Sequence, residues 1–253
     1  MKTLLAFLKK ECTEQLRSWR FIVLLSVFVL LGVMNPAIAK LTPWLYEIMA
    51  DALAESGMSV TSVQADALTS WTQFFKNIPM GIIAFVLIES SIFTKEYSSG
   101  TLIPILTKGL ERYKVVISKT AVIVASWSIY YWMCFALTYA INEFFWGNDI
   151  VMLLWFSALC WWMLGLFVSL LIVLFSSFAK GSTTVLLGTG GVFIGIYLLS
   201  LIPKLNEYSP AKLMEASAQL ADASGYIKAI VITAVMCIIC VVISIPIFNK
   251  KQI

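Results

Sequence analysis

Between two long apolar stretches the chain carries one compact polar run, Lys95-Glu96-Tyr97-Ser98-Ser99-Gly100-Thr101-Leu102. Its residue types suit docking rather than bond-making. Ser98, Ser99 and Thr101 can cap a helix start, and Gly100 permits a tight backbone turn. Glu96 offers a charge to a basic partner residue, and Leu102, Ile103, Ile105 and Leu106 add an apolar contact. Catalytic combinations are missing. The chain has no histidine, which removes the commonest general base and the commonest metal ligand together. With no HExxH, no Ser/His or Cys/His arrangement and no paired carboxylates, an enzyme has little to work with here. No metal or cofactor is expected on this chain. The GxxxxGK[ST] pattern of a nucleotide loop is also absent, so any use of ATP must come through a separate protein.

The elements that must hold this run follow from composition. Sixty per cent of residues are hydrophobic, 13 per cent are charged, and mean hydropathy is +0.90. Soluble domains are about 45–50 per cent apolar, so the expectation is an all-α, polytopic membrane protein of one domain. A spanning helix takes about 20 mostly apolar residues, and six such runs occur, at 21–39, 79–94, 115–140, 151–178, 185–202 and 227–248. The second is short and should begin before Pro79, since residues 71–75 can continue a helix outward. Ala37-Ile38-Ala39 resembles a small-residue cleavage site, but the stretch before the run is long and contains Glu11 and Glu14, unlike a basic leader. The run reads as a membrane segment.

Basic residues set the orientation, because Lys and Arg are retained on the cytoplasmic side. With a cytoplasmic N-terminus the inner segments hold Lys2, Lys9, Lys10, Arg17, Arg20, Lys95, Lys108, Arg112, Lys114, Lys119, Lys180, Lys250 and Lys251, which is 13 of the 18. Both termini and the polar run are therefore expected inside. The net charge of +4 is an orientation signal, and no basic face of a soluble module invites nucleic acid.

Other candidates are weaker. Glu89, in the second span, is open to a pore-facing or a helix-interface role, since an ionisable group in a span is functional by default. Cys237 and Cys240 have redox spacing inside the last span, where an apolar helix face explains them better. Gly188, Gly190, Gly191 and Gly195 include a GxxxG pattern, which lets helices approach closely in lipid; Gly188, Gly191 and Gly195 are expected to pack on another helix. Leu4, Leu5, Leu8, Cys12, Leu16 and Trp19 recur at helical spacing among charges, describing an amphipathic interfacial helix over residues 1–20, with the bundle at 21–248 and a tail at 249–253. Residues 42–77 read as two short outer helices broken at Gly57, and Ser209-Pro210 as the start of a helix over 211–223. Trp127, Tyr130, Tyr131, Trp132, Trp155, Trp161 and Trp162 suit either helix packing or a wall for bulky apolar cargo.

Three segments together resemble the ABC-2 type, exporter-class permease family of ABC transporters. Lys10-Glu11 through Arg17-Ser18-Trp19-Arg20 is similar to the family's N-terminal interfacial helix. Glu96-Tyr97-Ser98-Ser99-Gly100-Thr101-Leu102, followed by Lys108, Arg112, Lys114 and Lys119, is similar to its Glu-x-x-x-Gly-Thr segment between spans two and three. Tyr208-Ser209-Pro210 is similar to a Ser-Pro before its last span. The resemblance implies a permease in the bacterial cytoplasmic membrane whose segment 96–106 forms a coupling helix for a cytoplasmic ATPase, with Lys180-Gly181-Ser182 as a second contact. It implies ATP and magnesium in that partner, and a second permease copy or sister permease to complete the path. Amphipathic or antimicrobial peptides are the expected cargo, with drugs, lipids or ions as alternatives. A self-sufficient secondary transporter or channel, or a membrane scaffold, is the competing class.

Overall fold

A computed structural model describes residues 2–55, 65–107 and 109–251. Among them there is no strand, and six helices are long and apolar enough to cross a membrane. In chain order the helices are α1 (Lys2–Arg17), α2 (Trp19–Glu55), α3 (Ala67–Glu89), α4 (Thr94–Ser98), α5 (Ile103–Thr107), α6 (Arg112–Phe145), α7 (Leu154–Phe178), α8 (Ser182–Ser200), α9 (Pro203–Asn206) and α10 (Ile227–Lys250). The six spans belong to α2, α3, α6, α7, α8 and α10.

Helix α2 overruns the apolar run at 21–39 and reaches Glu55, so residues 42–55 continue the first span instead of forming a separate outer helix. Gly57, the expected break, lies outside the described residues. Pro36 stands inside α2 without disrupting it. A proline lacks the N–H that would bond the carbonyl four residues earlier, which here is Gly32. That carbonyl instead accepts the Thr138 hydroxyl of α6 at 2.9 Å. The orphan created by one helix is satisfied by its neighbour, as an apolar solvent requires.

Helix α3 begins at Ala67, where the Asp66 carboxylate accepts from the Thr69 N–H at 2.7 Å. It ends at Glu89 rather than at residue 94, and residues 90–93 form turns that re-aim the chain into α4. Helix α7 is the centre of the bundle. Gly165 lets the buried Trp127 indole lie against its backbone: a Cβ there would sit 1.9 Å from Trp127 Cζ2. The indole N–H then donates to Trp162 O at 3.0 Å. Tyr130, Tyr131 and Trp161 are buried in the same core, while Trp132 and Trp162 are half-buried and Trp155 is exposed. Most of the aromatic stretch is thus packing, not a wall.

The 25 residues of α7 run about 37 Å at 1.5 Å per residue, and its ends mark the two ends of the bundle. At its start, Trp161 Nε1 and Ser157 Oγ donate to Ala216 O (2.8 Å) and Ser217 O (2.9 Å). Those contacts pin residues 216 and 217 to α7, where Ser217 O also accepts Leu220 N at 3.3 Å in a turn. The element starting at Pro210 is accordingly a 3-10 helix, Pro210–Glu215, and not a helix over 211–223; Ser209 still caps it, accepting from Ala211 N at 3.2 Å.

Helix α8 is the least buried span, with Val185 and Thr189 as its only buried residues. Gly188 meets the Phe175 ring, where an added Cβ would come within 2.3 Å. A Cβ at Gly191 or Gly195 would meet nothing within 4 Å.

Candidate functional site

At the end of the bundle carrying both described chain ends, α1 lies across α6 with Phe7, Glu11 and Gln15 turned inward. These sit one helical turn apart. Leu5, Cys12, Leu16 and Trp19 face away from the protein. The inward face is polar because of what it meets: Lys119 on α6, Glu96 on α4 and Glu89 at the end of α3.

Lys119 Nζ lies 2.8 Å from Glu11 and 2.9 Å from Glu96, with side chains of all three at most 7 % exposed. Lys10 Nζ closes the ring from the solvent side, at 2.9 Å from Glu11, 2.7 Å from Glu14 and 2.8 Å from Glu96. Burial opposes the Lys10 ammonium, but Glu14, Glu96 and Glu11 outweigh it and hold its pKa above the ordinary lysine value. Lys119 also donates to Ile92 O at 3.4 Å and sits 5.4 Å from the Phe93 ring centre. Oxygens of Glu11, Glu14 and Glu96 fall within 4.8 Å of one another, yet the two ammoniums already occupy that space. Each of the three carboxylates is thus engaged in an ion pair within the chain.

The same cluster fixes the polar run. Glu96 is buried and paired inside the chain, which leaves its charge no reach toward an outside partner. Tyr97 donates through its hydroxyl to Ser176 O at the end of α7 (3.1 Å) and lies 6.3 Å from the Phe248 ring. Gly100 adopts φ +65°, turning the chain between α4 and α5. Leu102 is buried in the core and Leu106 is half-buried. Ser99, Thr101, Ile103, Pro104 and Thr107 are exposed, and Ser99 Oγ lies 3.0 Å from Thr101 Oγ1. The Ser98 and Ile105 side chains lie outside the described ones, as does Lys108.

The turn before α8 reaches this site through Lys251, whose Nζ donates to Ala179 O (2.6 Å) and Ser176 O (3.4 Å) and sits 3.5 Å from the Tyr97 ring centre. Burial pushes the Lys251 pKa down to about 8. Lys180 is exposed, and Gly181 and Ser182 are half-exposed beside it. Arg112 Nη1 donates to Asn249 O at 3.1 Å, fastening the end of α10 to the start of α6.

Glu89 is fully buried; Oε1 accepts from Gln15 Nε2, and Oε2 has no hydrogen-bond partner. It meets α1, so a helix-interface role describes its contacts. Sequence reasoning counted Lys119 as a topology signal and as one of the basic residues after the polar run, although it lies within the 115–140 run. A lysine inside a span demands a carboxylate partner, and that rule points to Glu11 and Glu96. Farther along the bundle, α3, α7 and α8 enclose an apolar cavity of about 300 Å3, lined by Ile82, Val86, Leu164, Thr189 and Phe193 among others.

A family model described as ABC-2 family transporter protein matches residues 5–253. No curated protein and no solved structure gives a significant match.

Proposed function

Because the chain belongs to the ABC-2 family of transporter proteins and is a multi-pass membrane permease of an ABC transporter, we propose that it forms half of an export path driven by a separate cytoplasmic ATPase through residues 94–107. Both termini then lie in the cytoplasm, α1 lies along the inner membrane surface, and ATP with magnesium is held by the partner. The observation that carries the coupling role is the contrast within this segment. Glu96, Tyr97 and Leu102 anchor it to α1, α6, α7 and the core, while Ser99, Thr101, Ile103 and Pro104 project into solvent. A segment rigidly joined to three helices transmits displacement; a solvated loop would absorb it.

Glu96 therefore acts in this proposal as an anchor rather than as the contact. The turn Lys180-Gly181-Ser182 gives a second contact, tied to the first through Lys251. The open Gly191–Gly195 side of α8 is the place for a second permease copy or a sister permease, which would close the path beside the apolar cavity between α3, α7 and α8. Amphipathic peptides are the proposed cargo, with drugs, lipids and ions as the competing classes.

The test is capture of candidate ATPases by the purified permease. Ile103→Glu or Thr101→Arg is expected to reduce capture at least tenfold without altering thermal stability. Undiminished capture by both variants would sink the coupling assignment.

A further inference from the structure

Where α1 breaks into α2 at Ser18, a polar cavity of about 220 Å3 opens beside the charged cluster. Its lining includes Arg17, Ser18, Trp19, Arg20 and Lys95, together with the carboxylates Glu11, Glu14 and Glu96. Those carboxylates are already bound by Lys10 and Lys119. Arg20 is different. It is only 9 % exposed, yet among the described residues it has no hydrogen bond and no carboxylate within 4 Å. Its neighbour Glu89 has one oxygen engaged by Gln15 and sits beyond ion-pair distance.

A guanidinium carries five donors in a planar fork that matches carboxylate or phosphate. Those of Arg20 are not among the buried atoms that lack a partner, so they open onto the cavity and are free to take an anion. Arg17 lines the same cavity. Trp19, on the lining, is 64 % exposed, and Leu16 and Ile22 on the same stretch of chain are 57 % and 63 % exposed. Tryptophan beside basic residues is the composition of a membrane–water boundary. An anion that reaches Arg20 there arrives with hydrocarbon beside it.

We propose that this cavity binds a phosphate group, supplied by the headgroup of an anionic membrane lipid and clamped by Arg20 and Arg17, with the acyl chains lying along Leu16, Trp19 and Ile22. The site would tie the start of the first span to the lipid at the level of the coupling segment, through the Glu96 and Lys119 that border it. The proposal rests on placing α1 at the membrane surface and is independent of the ATPase assignment.

The experiment follows thermal unfolding of the full chain in neutral detergent with added phosphatidylglycerol, phosphatidylcholine or inorganic phosphate. Phosphatidylglycerol is expected to raise the midpoint by several degrees and phosphatidylcholine to leave it unchanged. Arg20→Gln should abolish the shift, Lys204→Gln at the opposite end of the bundle should retain it, and Arg17→Gln gives the readout if Arg20→Gln does not fold. A shift that survives in Arg17→Gln and Arg20→Gln, or an equal response to phosphatidylcholine, overturns the site. An equal response to inorganic phosphate keeps the phosphate clamp and overturns the lipid source. ATPase capture measured on the same variants separates this outcome from failure of the coupling assignment.

Discussion

Lys119 shows how one side chain can decide the state of several others. Breaking a buried pair by removing one partner typically costs about 3–5 kcal/mol, because the remaining charge stays buried. Lys119→Met leaves the buried Glu11 and Glu96 sharing the single ammonium of Lys10 and is expected to cost up to about that much in thermal or denaturant unfolding. Adding Glu96→Gln to Lys119→Met should recover part of the loss, which a mere volume effect would not. Lys251 offers a pH readout. Its pKa falls to about 8 in the folded protein, against an ordinary 10.5, so between those values the unfolded chain binds more protons and stability should rise with pH. Comparing unfolding midpoints at pH 7.5 and 9.5 tests this: the rise attributable to Lys251 should vanish in Lys251→Met. The sequence signals that Lys119 needs a carboxylate, but not which one. Glu96 reads as an exposed charge in a polar run, and only the approach of α1, more than 80 residues earlier, makes it an anchor.

At the scale of helices, two compensations carry testable consequences. Thr138→Val should cost about 1–3 kcal/mol, the penalty for leaving the Gly32 carbonyl unsatisfied in the core. In a Pro36→Ala background the restored N–H can bond Gly32 O, so the same Thr138→Val change should cost much less; a double-mutant cycle measures the difference. Equal costs in both backgrounds would refute the pairing. Glycines of α7 and α8 make the second contrast. Gly165→Ala drives a methyl into a buried indole and should destabilise by at least about 1–3 kcal/mol, whereas Gly191→Ala should fall within about 0.5 kcal/mol for the isolated chain. Hydropathy located every span because lipid demands long apolar runs whatever the packing. It placed some span ends poorly, since polar residues continue α2 past residue 39 and α3 stops at Glu89 instead of residue 94, although its start before Pro79 was legible from residues 71–75. The GxxxG pattern named small residues but not their partners: Gly188 is packed, Gly191 and Gly195 are not, and the closest approach belongs to Gly165, outside any motif.

For the whole molecule, the charge pattern and the position of α7 between two sets of contacts make one prediction about sidedness. In a cysteine-free variant, single cysteines at Ser99 and Gln219, both exposed, should react with impermeant reagent from opposite faces of sealed vesicles. Labelling of both from one face would overturn the six-span arrangement.

The ring of Lys10, Glu11, Glu96 and Lys119 also sets an order of events during synthesis. Glu11 and Lys119 are 108 residues apart, Lys10 and Glu96 are 86 apart, and Gln15 and Glu89 are 74 apart. Gln15 of α1 therefore meets Glu89 once the second span is made, whereas Glu11 meets Lys119 only when the third span follows. Docking of α1 is thus complete only with the third span, and it marks the moment at which the first three spans become one body.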